Sequence, residues 1–480
     1  MIWIVFAGLF LFSLATYLLG RRKVVGAARA GQGRPHSLAG YHGAYVAIWA
    51  TVPALILLIA LVGFGHRLET AILTGDLPAA VQAMPVQQQE LFVSDAQALA
   101  EGRQTSEQIY AADLQAALQQ TAQKAERVDR IVRWGGWALA GVLALAGALF
   151  AFPRVAPQFR ARNKVEGWVA ILLVICSTVA VLTTVGIVLS LVYESLRFFS
   201  AVSPIEFLTG THWSPQIAIR ADQVGQSGAF GAVPLFVGTF LVMLIAMLVA
   251  GPIGLYSAIY LSEYAGRATR AIVKPVLEIL AGVPTVVYGF FAALTVGPAF
   301  RGAFNWVGSL LVGGPLDGLG QYLMTVQNQM ALVAGVVMGI MLIPFVSSLS
   351  DDILNAVPQS LRDGSYAMGA TKSETVKKVV LPVALPGVAG AFILAMSRAV
   401  GETMIVFMAI GSGGAKITAN PLDTVTTVTV QIVSLLTGDQ EFDSPKTLAA
   451  FGLGLTLFAI TLALNIVALR IVQAYREQYD

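Results

Sequence analysis

One apolar stretch decides the fold class: residues 231–261 are GAVPLFVGTFLVMLIAMLVAGPIGLYSAIYL, with no Asp, Glu, Lys or Arg. A helix needs about 20 mostly apolar residues to cross the hydrocarbon of a bilayer, because no water is present there to satisfy backbone polar groups. The stretch is therefore predicted to be a membrane-spanning helix.

Other stretches along the chain meet the same requirement, which predicts an all-α integral membrane protein. The nine predicted spans are Ile2–Leu19, Gly43–Gly65, Trp134–Phe152, Gly167–Leu191, Gly231–Leu261, Pro275–Phe300, Met330–Ser348, Val383–Gly411 and Leu448–Leu469. Several exceed the minimum length and are expected to tilt or to continue beyond the bilayer. Residues 1–19 lack a preceding basic segment, so an uncleaved first helix is favoured over a signal peptide.

The composition agrees with a membrane protein and excludes several other classes. Hydrophobic residues make up 56% and charged residues 12% of the 480 residues, against about 45–50% and 25% in soluble domains. A net charge of +3 is too weak to indicate a nucleic-acid-binding protein. One cysteine excludes a disulfide framework, and the four histidines lack metal-ligand spacing, so no metal site is expected.

The distribution of Lys and Arg over the short loops predicts an orientation in the membrane. With the N-terminus outside, most basic residues of the short loops fall on the inner side, which predicts a periplasmic N-terminus and a cytoplasmic C-terminus. The predicted inner loops include Arg267, Arg270 and Lys274, and one predicted outer loop holds Arg301.

The chain is predicted to divide near residue 160 into an N-terminal membrane extension, 1–160, and a six-helix core, 161–480. The extension carries a polar insert at about 67–133. Its apolar residues recur at three- or four-residue steps, which predicts an amphipathic helix at Leu114, Leu118, Ala122, Ala125, Val128 and Val132. Such a helix either packs on its own insert or serves as a periplasmic lid or docking surface.

The most informative inner loop is Ser350–Pro382, which is polar and predicted to be helical in two pieces around Gly369. It resembles the EAA loop of ABC importer permeases, with full agreement in the spacing from Gly369 to Leu381-Pro382. The first part departs from that pattern, because Gly364-Ser365 stands where the family has Ala-Ala. Gly369 is expected to allow the sharp turn, and Pro382 to end the second helix. The alternative is an ordinary amphipathic loop.

The resemblance implies that this loop seats in a separate cytoplasmic ATPase. The residues that it assigns to this contact are Asp363, Gly364, Ser365, Gly369, Ala370, Leu381 and Pro382. No GxxxxGK[ST] phosphate-binding loop occurs, so no cofactor is expected on this chain and ATP and Mg would be used by the partner. A single EAA-like loop implies half a pore and a second permease subunit.

One basic residue, Arg398, falls inside a predicted span. Because an Arg at the bilayer centre costs about 2.5–3.5 kcal/mol on insertion scales, it needs a partner or a function. Glu402 follows four residues later and is expected on the same helix face, with the hydroxyls of Ser397 and Thr403 nearby. Two interpretations remain open: a structural ion pair between helices, or a cation in the path of an anion with Glu402 as its resting partner.

The stretch Ser397-Arg398-Ala399-Val400-Gly401-Glu402-Thr403-Met404-Ile405-Val406 resembles phosphate-specific ABC permeases, in particular the PstC-type subunit. Further agreement lies in residues 258–265, 280–289 and 420–422, so the resemblance covers about 165–478. It implies a type I ABC importer core with both ends inside, in the bacterial inner membrane. The implied partners are a PstA-type permease, two PstB-type ATPases, a periplasmic phosphate-binding protein, phosphate and lipid.

Two glycine-containing segments add to this picture. Glu278 is expected near the cytoplasmic end of the sixth span, where Gly282, Pro284 and Gly289 could break the helix and open backbone groups to a cavity. The alternative is a packing kink with Glu278 reaching the interface. Gly335 and Gly339 form a small-xxx-small pair that favours close helix contact.

The expected function is therefore a permease subunit of an ATP-driven phosphate importer, without an enzyme active site of its own. The nearest alternative is a permease for another oxyanion, such as sulfate or molybdate. An alternative of a different class is a proton-coupled secondary transporter that uses Arg398 and Glu402. A membrane scaffold or signalling component is a further alternative.

Overall fold

The computed structural model describes residues 2–30, 34–103, 112–215, 228–411, 413–437 and 444–476, and these are almost entirely helical. The first helices are α1 (Ile2–Arg29), α2 (Ala39–Gly75), α3 (Ala79–Gln82), α4 (Val86–Ala100), α5 (Ala112–Ala151), α6 (Ala161–Ala201) and α7 (Pro204–Thr209). A short antiparallel pair follows, β1 (Trp213–Ser214) with β2 (Ala229–Phe230).

The remaining helices form the C-terminal half. They are α8 (Val233–Ile259), α9 (Arg267–Ala281), α10 (Thr285–Phe291), α11 (Gly297–Leu311), α12 (Asp317–Met324), α13 (Ala331–Ala356), α14 (Gln359–Ala367), α15 (Lys372–Thr375), α16 (Leu381–Val400), α17 (Met404–Ile410), α18 (Val428–Leu436) and α19 (Pro445–Arg476). Turns of π-helix follow α8, α10 and α15, at Tyr260–Tyr264, Ala292–Val296 and Val376–Val380.

The predicted all-α membrane architecture is confirmed, because the described residues contain nine helical segments long and apolar enough to span a bilayer. These segments are Trp3–Arg29, Ala39–Gly75, Leu114–Arg154, Ala161–Ala201, Val233–Tyr264, Thr285–Leu311, Ala331–Ala356, Lys372–Val400 and Pro445–Gln473. The chain forms two compact units, Met1–Leu182 and Thr183–Asp480, which divide inside α6. The predicted division near residue 160 instead coincides with the start of that helix.

The first unit contains the predicted polar insert, and its helices extend well past the apolar runs. The amphipathic stripe belongs to the start of α5, where Leu118 and Ala125 pack with Phe92 and Ala96 of α4 and with Leu73 of α2. The amphipathic helix is thus confirmed, and its apolar face is covered by its own unit. Residues 104–111 of the insert lie outside the described part of the chain.

The second unit is built around α13, the most buried of the spanning segments. Gly335 and Gly339 face α8 as the small-xxx-small pair predicts. A Cβ on Gly335 would lie 2.5 Å from Cβ of Ile245, and one on Gly339 would lie 2.8 Å from the carbonyl oxygen of Ala246. The two glycines therefore allow the helices to approach to backbone contact.

The predicted sixth span, Pro275–Phe300, is wrong at its first residues. Residues 275–281 belong to α9, an amphipathic helix without a buried residue. The chain breaks at Gly282–Pro284, and the spanning segment runs from Thr285 to Leu311. This placement also corrects the position of Arg301, which lies within α11 and not in an outer loop.

The predicted eighth span, Val383–Gly411, is also two helices. The first, α16, ends at Val400, and the second, α17, begins at Met404. Gly401 acts as the C-cap of α16, and its N–H donates to the carbonyl oxygen of Ala399. Gly401 has φ of −86°, so its backbone stays in the right-handed region and the helix ends without a left-handed residue. Continuous hydrophobicity concealed this break.

Candidate functional site

A cavity of about 330 Å³ lies inside the second unit, between α9, the C-terminal half of α13 and α16. Its polar lining carries charges of both signs and two hydroxyls. The lining residues are Leu261, Lys274, Leu277, Glu278, Ala281, Met341, Pro344, Phe345, Ser347, Ser348, Asp351 and Arg398.

Arg398 lines this cavity from the last turn of α16, and its side chain is exposed there. Its guanidinium carbon lies 5.6 Å from the ring centroid of Phe345 on α13, within the range of a cation–π contact. In the described part of the chain, no carboxylate forms an ion pair with Arg398. The guanidinium therefore offers its N–H donors to the cavity.

The predicted pairing of Arg398 with Glu402 on one helix face is not formed. Because α16 ends at Val400, the spacing of four residues no longer places the two side chains on one face. The main chain of Glu402 is anchored instead: its N–H donates to Ala399 and its carbonyl accepts from Oγ1 of Thr429 at 2.8 Å.

Ser397 and Thr403 are also turned away from the cavity lining. Ser397 is buried, and its Oγ donates to the carbonyl oxygen of Thr461 on α19 at 3.5 Å. Thr403 Oγ1 makes a local contact of 3.4 Å with the carbonyl oxygen of Gly401. Of the five predicted pathway residues, the cavity thus brings together Arg398 and Glu278.

Glu278 lines the cavity from α9. The predicted sixth span contained this residue, but α9 lies outside the spanning segment Thr285–Leu311. One turn earlier on α9, Lys274 lines the same cavity. The predicted break after Glu278 is confirmed at Gly282–Pro284, where the helix stops. This break lets α9 turn its charged face toward α13.

A buried acid that no sequence pattern had indicated lies at one end of the cavity. The side chain of Asp351 is only 4% exposed, and Nζ of Lys274 lies 3.0 Å from its Oδ2. Arg270 donates to both carboxylate oxygens at 3.0 Å, and Asn355 Nδ2 donates to Oδ1 at 3.0 Å. The available signal was the step from Arg267 to Arg270 to Lys274, which is the spacing of one helix face.

The prediction that the Ser350–Pro382 loop is helical in two pieces around Gly369 is confirmed, because α14 and α15 are joined at this glycine. This glycine has φ of +85°, a left-handed conformation that L-residues with a Cβ adopt only at a cost. Oγ of Ser365 and Oγ1 of Thr375 share a 2.9 Å hydrogen bond that ties the two helices together. A capping box of Thr371 and Glu374 starts α15.

The end of the loop differs from the prediction for Pro382. This proline does not end a helix but lies in the first turn of α16, directly after a π-helical turn. The π-helical turn Val376–Val380 connects α15 to α16. The segment from Lys372 to Val400 is therefore helical throughout.

A buried arginine fixes α14 to the membrane core. Arg362 is only 8% exposed, and its Nη2 lies 2.9 Å from Oε1 of Glu263, in the π-helical turn after α8. The same side chain donates to the carbonyl oxygens of Val357 and Leu354 at 2.6 and 2.8 Å. The ion pair joins residues 258–265 to the Ser350–Pro382 loop, two segments that resemble ABC permeases, although that resemblance did not single out Arg362.

The surface of the coupling loop is otherwise open. Asp363 accepts a hydrogen bond from Gln359 Nε2 at 3.2 Å within α14, and Met368 is 89% exposed. Gly364 has open space around its Cα. An exposed apolar side chain at the tip of a helix pair, with the base of that pair fixed by a buried ion pair, is suited to contact another protein.

Comparison with known proteins identifies the family. Residues 250–477 match the family model of binding-protein-dependent transport system inner membrane components, and residues 6–183 match a model described as a phosphate ATP-binding cassette transporter. A phosphate transport system permease protein PstC 1 of Mycobacterium tuberculosis is 34% identical over 55% of this chain and 80% of its own length. The chain belongs to the PstC-type family of ABC transporter permeases.

Other relatives agree with this family membership. A probable ABC transporter permease protein, YqgH of Bacillus subtilis, is 32% identical over 67% of this chain and 94% of its own length. Among solved structures, an inward-facing methionine transporter MetNI is 19% identical, with a TM-score of 0.32 over 51% of this chain and 94% of that chain. The family is a permease component, and it is not itself an enzyme.

Proposed function

We propose that this chain is a PstC-type subunit that forms half of the pore of an ATP-driven phosphate importer. The names of its relatives and the phosphate transporter model over residues 6–183 support phosphate as the substrate. The observation that carries the proposal is Arg398, a guanidinium exposed to a cavity within the membrane helices. Arg presents several N–H donors in a planar fork that suits a phosphate oxyanion.

The charges of the cavity support weak and exchangeable anion binding. Arg398 attracts the anion, while Glu278 in the same lining limits its affinity, because a conduit must release what it binds. Asp351 holds Lys274 and Arg270 in ion pairs at one end of the cavity. A passing anion can compete with Asp351 for these cations, which gives it a second contact on its way out.

The proposal gives a role other than direct anion contact to Glu402, Ser397 and Thr403. They lie at or beside the break between α16 and α17, with anchors on Thr429 and Thr461. We assign this break to a hinge that changes during transport. Closure of the hinge would bring the carboxylate of Glu402 toward Arg398 as its resting partner once the anion has left.

The proposed complex contains further subunits. A PstA-type permease would complete the pore, two PstB-type ATPases would use ATP and Mg, and a periplasmic phosphate-binding protein would deliver the anion. The predicted ATPase contact comprises Asp363, Gly364, Ser365, Gly369, Ala370, Leu381 and Pro382. The proposed orientation has the N-terminus in the periplasm and the C-terminus in the cytoplasm, and residues 1–160 form an accessory extension of the core at 161–480.

The test is uptake of radiolabelled phosphate into proteoliposomes that hold the complete complex. ATP is supplied on the side of the membrane where the ATPase subunits lie. Phosphate uptake that requires ATP is the expected result. Arg398→Gln should reduce uptake about ten- to a hundredfold, since it removes a charge-assisted contact of about 1.5–3 kcal/mol in a low-dielectric site. Arg267→Gln, at an exposed arginine of α9, is the matched control and should transport normally.

Three results would contradict the proposal in different ways. Uptake driven by a proton gradient without the ATPase would indicate a secondary transporter. Preference for sulfate or molybdate would overturn the substrate assignment but leave the transporter class intact. Normal uptake by Arg398→Gln, with the complex assembled in normal amount on size-exclusion chromatography, would remove Arg398 from the pathway.

A further inference from the structure

A second polar cavity lies near the opposite end of α13 from Asp351. It has a volume of about 360 Å³ and is formed where α11 and α17 approach the loop that precedes α13. Its lining residues are Ala293, Arg301, Gln327, Asn328, Gln329 and Ala409. None of these residues was predicted as a site, and none belongs to the Arg398 cavity.

The charge in this cavity is that of Arg301. Its side chain is exposed on α11, inside the spanning segment Thr285–Leu311. No acidic residue lines the cavity, and no ion pair of Arg301 occurs among the described residues. An arginine within a membrane segment without a carboxylate beside it is costly to place, and a bound anion would supply the missing countercharge.

Three side-chain amides line this cavity together with the guanidinium. Gln327, Asn328 and Gln329 are consecutive and all belong to the lining. The Oδ1 atom of Asn328 is buried without a hydrogen-bond partner, so no bond to this oxygen fixes the orientation of the amide. Each amide nitrogen carries two donors. A cation that shares a cavity with neutral donors, with no carboxylate in the lining, suits a multivalent oxyanion.

The loop that carries the amides is fixed by the segment after α17. Thr424 Oγ1 donates to the carbonyl oxygen of Gln329 at 2.8 Å. The first N–H groups of α13 donate to the same segment, Ala331 to the carbonyl of Asp423 at 3.0 Å and Leu332 to that of Pro421 at 2.8 Å. The amide side chains therefore stand on a preorganised backbone, which lowers the ordering cost of binding.

Two glycines let the surrounding helices close around this loop. A Cβ on Gly297, at the start of α11, would lie 2.9 Å from the carbonyl oxygen of Asn328. Gly411, which ends α17 with φ of +70°, would place a Cβ 3.5 Å from Nε2 of Gln329. Larger residues at 297 would push the loop away from Arg301. The approach of α11 to the amides thus depends on glycine.

We propose that Arg301, Asn328 and Gln329 form a second oxyanion-binding site, distinct from the Arg398 cavity, for a tetrahedral anion such as inorganic phosphate. Gln329 lies two residues before α13, and the rise from Ala331 to Met341, which lines the Arg398 cavity, is about 15 Å at 1.5 Å per residue. An anion at the second site would therefore occupy a separate station. Its role as the periplasmic entry station rests on the orientation in the proposed function, but its ability to bind phosphate does not.

The test measures equilibrium binding of radiolabelled inorganic phosphate to the complete complex in lipid nanodiscs, without the binding protein and without ATP. The Arg398→Gln complex should retain phosphate binding, because the second site is intact. Adding Arg301→Gln to that variant should weaken the retained binding at least about tenfold, the effect of losing one charge-assisted contact. Adding Arg267→Gln instead is the control and should leave it unchanged, while Arg301→Lys should restore part of it.

Loss of all phosphate binding in the Arg398→Gln complex would overturn the second site. Equal phosphate binding by the Arg398→Gln complex and by the double variant that also carries Arg301→Gln would overturn it as well. Arg301 could also bind a carboxylate of a partner subunit. In that case Arg301→Glu would reduce recovery of the partner subunit on size-exclusion chromatography and Arg301→Gln would leave phosphate binding unchanged, which also overturns the proposal. If sulfate replaces phosphate in both uptake and binding, the substrate assignment fails and the second site stands.

Discussion

Arg362 and Arg398 are the same residue type in two opposite environments. Arg362 is 8% exposed and satisfies its donors with Glu263 and two backbone carbonyls. Arg398 is exposed to a cavity, where its guanidinium carbon lies 5.6 Å from the ring centroid of Phe345. A fully satisfied arginine makes a rigid joint, whereas an arginine with free donors can bind and release an anion.

In the proposed function, the difference lets one chain both transmit motion and conduct an anion. If α14 contacts the ATPase as proposed, it must move as one body with the membrane core, so the bonds of Arg362 should persist through the cycle. The contacts of Arg398 must instead exchange in each cycle. Replacing either arginine should therefore give different failures: loss of coupling at Arg362, and loss of anion passage with coupling intact at Arg398.

The largest effect on stability is expected from Arg362→Met. This change leaves the Glu263 carboxylate buried without its cation, at a cost of about 3–5 kcal/mol. We expect α14 to detach, a lower thermal midpoint in nanodiscs and a strong loss of the ATPase subunit during co-purification. Arg267→Met, at an exposed arginine of the same charge, should keep both measurements near wild type.

A double variant sharpens the same comparison. Adding Glu263→Leu to Arg362→Met removes the unpaired charge and should recover part of the thermal midpoint, although the carbonyls of Leu354 and Val357 still lose their donor. If the Arg362→Met complex keeps the wild-type thermal midpoint and its bound ATPase, Arg362 does not fix α14 to the membrane core. The contrast between Arg362 and Arg398 would then not explain how motion is transmitted.

A smaller effect is expected from Asp351→Asn, which tests a charge cluster intermediate between the two arginines. Asp351 is buried, but its partners Arg270 and Lys274 have side chains 35% exposed. Water can therefore stabilise the released cations, and we expect a loss of about 1–3 kcal/mol, measured as a modest decrease of the thermal midpoint. A decrease as large as that of Arg362→Met would show that solvent access does not separate the two clusters.

The same variant has a transport consequence. Without Asp351, two cations at one end of the Arg398 cavity lose their carboxylate, so a phosphate should leave more slowly. We expect uptake by the complete complex to fall several-fold, with ATPase binding unchanged. Asp352→Asn, the exposed neighbour, is the control. Faster uptake in Asp351→Asn would contradict the exit contact.

The sequence predicted the membrane fold well because hydrophobicity and helix length are local properties. All nine spans have a counterpart in the described residues, and so does the turn at Gly369. The errors lie where an apolar run contains two helices, at Gly282–Pro284 and at Gly401–Thr403. An average over the run cannot detect a break, although Gly and Pro marked the first one.

The site was predicted less completely because its residues meet through tertiary packing. Arg398 stood out as a charge within a span, but Asp351 and Lys274 are 77 residues apart in the sequence. No spacing rule connects them. The pairing of Arg398 with Glu402 assumed one continuous helix, and its failure follows from the break at Gly401. The N-terminal extension resembled nothing specific by its residues, although residues 6–183 match a transporter model.

The smallest effects are expected from two Gly→Ala substitutions in the Ser350–Pro382 loop. There the backbone conformation alone decides whether the added methyl group stabilises or destabilises the loop. Gly369→Ala forces a Cβ into a left-handed conformation at φ of +85°, at a cost of about 1–2 kcal/mol. Gly364→Ala lies within α14, and both positions have open space around the added carbon. There alanine should stabilise the helix by about 0.5–1 kcal/mol. ATPase affinity of the complete complex should therefore fall in the first variant and stay equal or rise in the second. Equal changes in both would mean that the turn at Gly369 is not held in the ATPase-bound state, and that the rigid joint ends at Arg362.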